Sequence, residues 1–395
     1  MKRNQLALIL VLLAALGGVA LLLRSRDSAS WSSSAAGSSE KILSFPLNDV
    51  SRVTIKTSGT ELNLVKQEGT WRVAERADYP ADFGKVAGLL RKLWELRATQ
   101  DVKAGPSQLG RLELLEPGST SDSGTLIELT DGSAKPLGSL LLGKKQNQMS
   151  NRSFGDVSIS VGRYVMSPAH AERVYLVAET FDEVQPKPDL WISRDFLKVE
   201  NPKSIALAGA APGMNWKVSR QTVTGPWTLL EAKPGEEPDS TKFNTVTSYL
   251  ANLGFADVLK ADALPAETGL DKPSTLTIET FDGFDYLLRI GKLMGTNYPV
   301  LVSVKASLPN ERKPGADEKP ADKARLDQQF QEKQKQLNEK LTKEEKLAGR
   351  PYLVAKGTVE HFLKERSALL KSEPPPAPTA GPSTKPRPTP SKRPK

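Results

Sequence analysis

The sequence predicts an α+β protein in which an antiparallel sheet with a helix occurs twice in tandem. Short stretches such as residues 52–56 and 61–64 alternate polar and apolar side chains, which is typical of strands with one buried face. Residues 82–96 instead space their apolar side chains by three and four, as an amphipathic helix does. The third observation is that this order of motifs returns later in the chain. A unit of roughly 150 residues can bury its own core, so the repeat predicts two domains.

The repeat is clearest around two tryptophans, Trp71 and Trp227, each followed by a polar stretch and an apolar-periodic run. The two runs are offset by 160 positions and comprise Phe83, Val86, Leu90 and Leu93, then Phe243, Val246, Leu250 and Leu253. We expect these side chains, with Trp94 and Tyr249, to pack a helix on each sheet. The second helix is expected over residues 241–253. The candidate N-cap of the first helix is Asp82 or Asp78, and that of the second is Asp239 or Ser240. Short polar side chains at these positions accept hydrogen bonds from the free backbone amides of the first helical turn.

Two hairpins repeat downstream of the helices. Strands 125–130 and 137–142 flank Asp131-Gly132, and strands 275–280 and 285–290 flank Asp282-Gly283, which is expected turn chemistry. A Gly-Lys pair ends each hairpin, at Gly143 and Gly291. Further strands are expected at 174–177 and 352–354. We also align Arg163-Tyr164-Val165 with Arg350-Pro351-Tyr352-Leu353 as repeated motifs.

These motifs place the first repeat at residues 42–197 and the second at 198–370. The second carries an insertion, 310–349, with a Lys/Glu/Gln-rich stretch at 321–346. Its apolar stripe is narrow and is interrupted at Lys333 and Gln334, whereas a coiled coil needs several clean heptads. We therefore expect a solvated or weakly paired helical arm that belongs to neither core and is a contact surface.

Residues 6–23 contain no charged side chain and would span about 27 Å as a helix, close to the hydrocarbon thickness. Lys2 and Arg3 precede this run, which favours residues 1–5 in the cytoplasm and the rest of the chain outside. The alternative is a cleaved signal peptide, although its apolar region is usually shorter. Residues 24–41, rich in Ser, Ala and Gly, are expected to form a flexible linker.

The formal net charge of +9 is concentrated at the ends of the chain. The tail, 371–395, has six basic residues and one acidic residue. The flanks of the apolar run have four basic residues and one acidic residue. The remaining body is therefore close to neutral at +1, without the clustered basic surface that nucleic-acid binding needs. The proline-rich tail is expected to be disordered, either as a tether or as a polyproline or electrostatic contact with anionic envelope material.

No catalytic constellation is evident in the sequence. The absence of Cys removes disulfides, thiolate metal sites and a Cys nucleophile. His170 and His361 have no partner at ligand spacing, and we interpret them as surface or helix-end residues. Neither a Gly-x-Ser-x-Gly motif nor a phosphate-binding loop is present. We therefore assign no catalytic, cofactor-binding or metal-binding residue and expect a protein that is not an enzyme.

The order of the motifs resembles the DUF4340 family over most of residues 42–370. The matching motifs are Trp71, Trp227, Gly269-Leu270-Asp271-Lys272-Pro273, Ile290-Gly291-Lys292 and the inter-repeat segment 189–195. In the first repeat, Leu109-Gly110-Arg111-Leu112 departs from the Gly-Leu-Asp-Lys-Pro form. The resemblance implies no activity and transfers no catalytic residue. It does imply an envelope accessory role, because members are often encoded beside an ABC transporter and a gliding-motility-type auxiliary protein.

The sequence thus favours a membrane-anchored extracytoplasmic binding or scaffold protein, single-pass in the inner membrane of a bacterium and partnered by ABC transporter subunits. The alternative class is an envelope glycan hydrolase or a peptidoglycan-binding module. A hydrolase would need two acidic side chains facing each other across a cleft.

Overall fold

A computed structural model describes residues 40–118, 122–152, 155–211, 213–259, 263–315 and 318–371. The expected anchor at 6–23, residues 1–5, all but the last two linker residues and the tail after 371 lie outside these ranges. Within them, no helix is both long and apolar enough to cross a bilayer. The chain divides into two compact units, each described by itself. The first comprises Met1–Asp195 and Ala256–Ala263, and the second comprises Phe196–Phe255 and Leu264–Lys395.

The first unit is an antiparallel sheet with one longer helix, α1 (Phe83–Glu95). Its strands in chain order are β1 (Arg52–Thr57), β2 (Thr60–Gln67), β3 (Thr70–Val73), β4 (Tyr79–Pro80), β5 (Gln100–Val102), β6 (Thr125–Thr130), β7 (Pro136–Arg152), β8 (Gly155–Met166) and β9 (Val174–Val177). In space they lie in the order β4-β3-β2-β1-β6-β7-β8-β9-β5. Two 3₁₀ turns, Pro106–Gln108 and Gly110–Leu112, follow β5.

Residues Ala256–Ala263 return to the first unit and contain the short strand β13 (Asp257–Val258). The guanidinium of Arg76 donates two hydrogen bonds, both of 2.7 Å, to the carboxylate of Asp257. Arg194 donates to the carbonyl of Ala256. The boundaries predicted from the sequence, 42–197 and 198–370, place Ala256–Ala263 in the second repeat. Their place in the first unit depends on contacts between residues far apart in sequence, which the boundaries do not include.

The second unit also pairs an antiparallel sheet with helices. Its strands are β10 (Pro202–Ala208), β11 (Trp216–Ser219), β12 (Thr228–Leu229), β14 (Ser274–Thr280), β15 (Phe284–Ile290), β16 (Asn297–Ala306) and β17 (Pro351–Ala355). Its helices are α2 (Ser240–Ala251), α3 (Pro265–Thr268), α4 (Pro320–Glu345) and α5 (Lys356–Val359). These seven strands lie in the order β12-β11-β10-β14-β15-β16-β17.

The two cores form as the alternation of the strands predicts. In β15 every second residue is buried, from Phe284 to Ile290, and the residues between them face outward. The helix caps are also confirmed. Asp82 accepts a hydrogen bond from the amide of Lys85, and Asp239 accepts from the amides of Thr241 and Lys242. The α+β class is therefore confirmed.

The tryptophans of the repeat are buried as expected, whereas two aromatic residues of α1 are not. Trp71 and Trp227 are each 5% exposed. Phe83 is 70% exposed and Trp94 is 41% exposed, which corrects the expectation that both pack on the sheet. Leu89, which the repeat pattern omitted, is buried in α1 and shifts the centre of the buried arc. At about 100° per residue, Phe83 and Trp94 then lie on the same edge of that arc.

The alignment of Arg163-Tyr164-Val165 with Arg350-Pro351-Tyr352-Leu353 is wrong. The first motif lies on β8, the fourth strand counted from β1 across its sheet. The second reaches β17, the fifth strand counted in the same way from β10. Local composition made the motifs look equivalent, but strand order separates them.

The charged arm forms a long helix, α4, that contacts β16 instead of standing free. Of its residues only Glu344 is buried, and Leu347 is buried just beyond its end. At the interruption of the apolar stripe, the Lys333 ammonium lies 2.7 Å from the Asp282 carboxylate. The expectation that the insertion belongs to neither core is therefore corrected at its C-terminal end.

Candidate functional site

The first unit contains a surface cleft of about 450 Å³ lined by positive charge. It lies between the end of β5, the two 3₁₀ turns, residues 144–147 of β7 and Tyr164 of β8. The lining residues are Val102, Lys103, Ala104, Gln108, Arg111, Leu112, Lys144, Lys145, Gln146, Asn147 and Tyr164. Four of them are cationic, and none is a carboxylate.

A β-bulge brings two consecutive lysines to this cleft. In β7, Leu142 pairs with Val165 and Lys145 pairs with Arg163, so β7 has one more residue than β8 at this point. Successive side chains of a regular strand point to opposite faces, whereas a bulge changes their direction. Both Lys144 and Lys145 consequently line the cleft. The Arg163 guanidinium holds the bulge by donating to the carbonyl of Gly143 at 2.7 Å.

The glycine of the repeated Gly-Lys pair has the same structural role in the two units. A Cβ atom on Gly143 would overlap the carbonyl oxygen of Leu112, and one on Gly291 would overlap the carbonyl oxygen of Thr268. In each unit the missing side chain lets a helical turn lie directly on the hairpin. In the first unit this close contact positions Arg111 and Leu112 beside the bulge.

The lysine after each glycine differs between the units. Lys292 donates its backbone N–H to the carbonyl of Thr268 and its ammonium to the carbonyl of Ala266, at 2.9 and 3.2 Å. It therefore caps the C-terminal end of α3. Lys144 is exposed and lines the cleft. The same motif thus serves packing in the second unit and leaves a cation at a cleft in the first.

The floor of the cleft is a fixed part of the core. Leu114, Leu141 and Met166 belong to a cluster of buried apolar residues at this end of the sheet. Leu112 and Tyr164, both half-buried, pack against that cluster and also line the cleft. Because its floor is packed side chains, the cleft has a definite shape.

The cations of the cleft are only partly neutralised by the protein. Lys145 forms an ion pair with Asp182. The hydrogen bond that Lys145 donates in this pair, with a second from the Thr180 hydroxyl, lowers the pKa of the Asp182 carboxyl. Within the described ranges, Lys103, Arg111 and Lys144 form no ion pair. Three cationic groups therefore face solvent at one cleft, and none of them is paired with a carboxylate of the described residues.

Two amides add hydrogen-bond donors to the same lining. The Gln108 side-chain oxygen accepts from the amide of Gly105 at 3.1 Å, and the Asn147 side-chain oxygen accepts from the Ser160 hydroxyl at 2.7 Å. Each side chain retains an NH₂ group, which can only donate. A lining of ammonium, guanidinium and amide N–H groups matches a ligand rich in oxygen acceptors.

The two histidines lie away from this cleft. The His170 side chain is 69% exposed, with Nδ1 at 3.7 Å from Glu172. His361 is half-buried, and its ring stacks on Tyr249 with centroids 4.1 Å apart. Across the part of the chain that the structure describes, no group of three His, Asp or Glu side chains could hold a metal ion.

The second unit has a smaller cleft, of about 280 Å³, over β10, β11 and β14. Its arginine, Arg366, donates to the carbonyl of Glu231 and the carboxylate of Glu236, at 2.7 and 2.6 Å. The protein therefore already uses this guanidinium. Of the two clefts, only that of the first unit presents a cluster of unpaired cations.

The sequence indicated no site residue and did not reveal this cleft. The Lys144-Lys145 pair was visible, but its first lysine recurs after Gly291 and so indicated structure. Lys103, Arg111 and Lys144 belong to three separate segments, and no spacing rule connects them. The near-neutral body concealed a local cluster of positive charge.

Comparison with known proteins places the chain in a family. The model of a domain of unknown function, DUF4340, matches residues 71–273. The protein belongs to the DUF4340 family. The match covers about half of the chain and includes both Trp71 and Trp227. No curated protein and no solved structure matches it. All the lining residues of the first-unit cleft of this DUF4340 protein lie within the matched residues.

Proposed function

We propose that this DUF4340 protein is a non-enzymatic, membrane-anchored binding protein of the cell envelope that holds an anionic ligand in the cleft of its first unit. The observation that carries this proposal is the set of three unpaired cations over a packed floor. Residues 6–23 supply the anchor in this proposal. The chain is then single-pass in the inner membrane, with its bulk on the extracytoplasmic side.

Anion binding can be tested with the full-length protein in detergent micelles. Calorimetric titration with tripolyphosphate should show saturable binding that weakens as salt rises, because exposed charges are screened. Lys103→Glu with Lys144→Glu should weaken binding at least tenfold. Lys203→Glu with Lys305→Glu changes the net charge equally on exposed strand positions of the second unit and should leave binding intact. Equal losses in both variants would show only a net-charge effect and would contradict a specific site.

The partners proposed for this binding protein are the subunits of an ABC transporter and an auxiliary membrane protein. Support comes from the genetic association that the family resemblance implies and from the proposed anchor. Affinity purification from solubilised membranes should recover transporter subunits with the full-length chain. Repeated recovery of none would contradict this part of the proposal.

The alternative, an envelope glycan hydrolase, receives no support from the two clefts described above. The first has no carboxylate in its lining, and the second has only Glu231. A glycosidase of the usual kind needs two carboxyl groups across the scissile bond. A peptidoglycan-binding role differs from hydrolysis and remains compatible with a cleft that binds without reacting.

We also propose that the two units are copies of one fold. Support comes from the two strand orders, β3-β2-β1-β6-β7-β8-β9 and β12-β11-β10-β14-β15-β16-β17, which have the same chain-order pattern. The buried tryptophans and the glycines under the helical turns add further support. A crystal structure in which the strands around Trp71 and Trp227 cannot be superposed in the same order would contradict the duplication.

A further inference from the structure

The cleft of the first unit combines the charge of an anion site with groups that suit a sugar. We infer that its ligand is an acidic glycan, a sugar chain that carries carboxylate or other oxyanion groups. This inference rests on the proposed anion-binding function and names the class of ligand. It follows from three properties of the lining: donor chemistry, one aromatic residue, and volume.

The donor chemistry requires several oxygen acceptors on the ligand. Lys103, Arg111 and Lys144 provide charged donors from three different segments of the chain, and all three line the cleft. Arg111 can hold a carboxylate through two parallel N–H bonds. The NH₂ groups of Gln108 and Asn147 are neutral donors that suit hydroxyl and ring oxygens. A ligand with both anionic and neutral oxygens would use all of these groups.

A bare inorganic anion has no use for the aromatic ring of the lining or for the acceptor oxygen of a free amide. Tyr164 is half-buried, packs on the apolar cluster beneath it and is the one aromatic side chain of the cleft. A pyranose ring has an apolar face of C–H groups that can pack on such a ring, which offers both an apolar face and a polar edge. The Gln146 side chain forms no hydrogen bond to the described residues, so its amide is available both to donate and to accept.

The size of the cleft also favours more than one charged group. A volume of about 450 Å³ falls within the range of ligand pockets, roughly 300–1,000 Å³, and is far larger than one phosphate or carboxylate needs. Lys145 is already held by Asp182 at one side. The other three cations line a space of the size that a short oligosaccharide occupies.

The test compares three probes on the full-length protein in detergent micelles. Tetragalacturonate carries one carboxylate on each sugar, its methyl ester keeps the sugars without the charge, and tripolyphosphate keeps the charge without sugars. We expect tetragalacturonate to bind at least tenfold more tightly than either of the other two. A second carboxylated tetrasaccharide, from hyaluronan, extends the test to another linkage, and tight binding of either glycan supports the inference.

Two variants separate the contributions. Tyr164→Leu keeps an apolar side chain over the cluster and removes the aromatic face, and Gln146→Ala removes the free amide. Each should weaken glycan binding at least fivefold and leave tripolyphosphate binding within twofold, with an unchanged melting temperature. Lys103→Glu combined with Lys144→Glu should weaken the binding of both the glycan and tripolyphosphate.

The outcomes distinguish the assignment of a glycan from the proposed anion-binding function. If both glycans bind no better than tripolyphosphate, or both variants leave glycan binding unchanged, the glycan assignment is overturned and the anion site stands. If no anionic probe binds, the proposed function itself fails. Tight binding of the neutral ester would overturn the requirement for charge.

Discussion

Glu344 shows how one residue can fix a long charged helix to a sheet. Its carboxylate is buried and accepts from the Tyr286 hydroxyl at 2.9 Å and from the Lys198 amide at 3.0 Å, and the Lys340 ammonium lies 3.1 Å away. Burial, together with this carboxylate, raises the pKa of Tyr286 well above its usual value. The phenol therefore stays a donor at neutral pH. A buried carboxylate is tolerated here because its oxygens are satisfied.

Replacing Glu344 with Gln should lower the free energy of unfolding of the second unit by about 1–3 kcal/mol, because the ion pair is lost and the buried donors keep a weaker acceptor. Glu345→Gln is the matched control, since that neighbouring side chain is exposed. Urea denaturation followed by fluorescence measures both. Equal stability of the two variants would mean that the buried carboxylate does not hold the helix.

The tryptophans give a second test at the same scale. Trp227→Ala should cost about 3–5 kcal/mol, since it removes a buried ring and leaves a cavity beside Phe243. The rings of Trp227 and Phe243 lie 6.1 Å apart. Trp94→Ala removes the same side chain from an exposed position and should change stability by less than about 1 kcal/mol. Thermal unfolding compares them, and an equal loss of stability for Trp94→Ala would show that burial does not distinguish the two rings.

At the scale of the element, Gly143 connects hairpin, turn and cleft. Its missing side chain lets the turn at Leu112 lie on β7, and its carbonyl is held by Arg163. Burial lowers the pKa of Arg163, but the guanidinium still remains charged. The same side chain also donates to the carbonyl of Thr180 at 3.1 Å. The bulge is thus fixed from two sides.

Gly143→Ala should therefore destabilise the first unit by about 1–3 kcal/mol and displace Arg111 from the cleft, because the turn must move to admit a methyl group. Gly138→Ala is the control on the same strand, where an added Cβ meets nothing within 4 Å. Calorimetric melting and tripolyphosphate titration report the two effects. Normal anion binding in a destabilised Gly143→Ala variant would separate the packing from the site.

Helix α4 is attached mainly through its C-terminal half, where Lys333, Lys340 and Glu344 make their contacts. Replacing residues 311–331 with a short Gly-Ser linker should cost less than half the stability that deletion of 310–349 costs, since the deletion also exposes Tyr286. Denaturation midpoints of the two truncations measure this difference. Equal costs would place the attachment in the N-terminal half instead.

At the scale of the whole molecule, the chain comprises two compact units and terminal segments that differ from them in charge. The body is close to neutral, and most of the net charge of +9 lies in the tail and the flanks of the apolar run. Local clusters can still form, as at the first-unit cleft. The net charge of the body is therefore a poor guide to what the protein binds, because cations are concentrated at one cleft.

The proposed anchor makes a direct prediction about the mature chain. If residues 6–23 remain as a membrane span, the purified protein begins at Met1 or Lys2 and fractionates with membranes. N-terminal sequencing of the protein from membrane and soluble fractions measures this. A chain that begins at or after Ser28 would identify a signal peptide instead.

The sequence by itself determined the elements whose information is local. Alternation within a few residues placed β1 and β14, and apolar spacing placed α1 and α2. The caps Asp82 and Asp239 were readable because their hydrogen bonds reach only two or three residues. The same local spacing gave the wrong burial for Phe83, since an edge position depends on how the helix is seated.

Only the tertiary structure decided the cleft, the buried Glu344 and the return of Ala256–Ala263 to the first unit. Each depends on pairing register or on contacts between segments that are distant in sequence. A bulge of one residue turned Lys144 and Lys145 to the same cleft, and no pattern of single residues encodes that direction. Function in this protein is expected where register and packing, not composition, bring charges together.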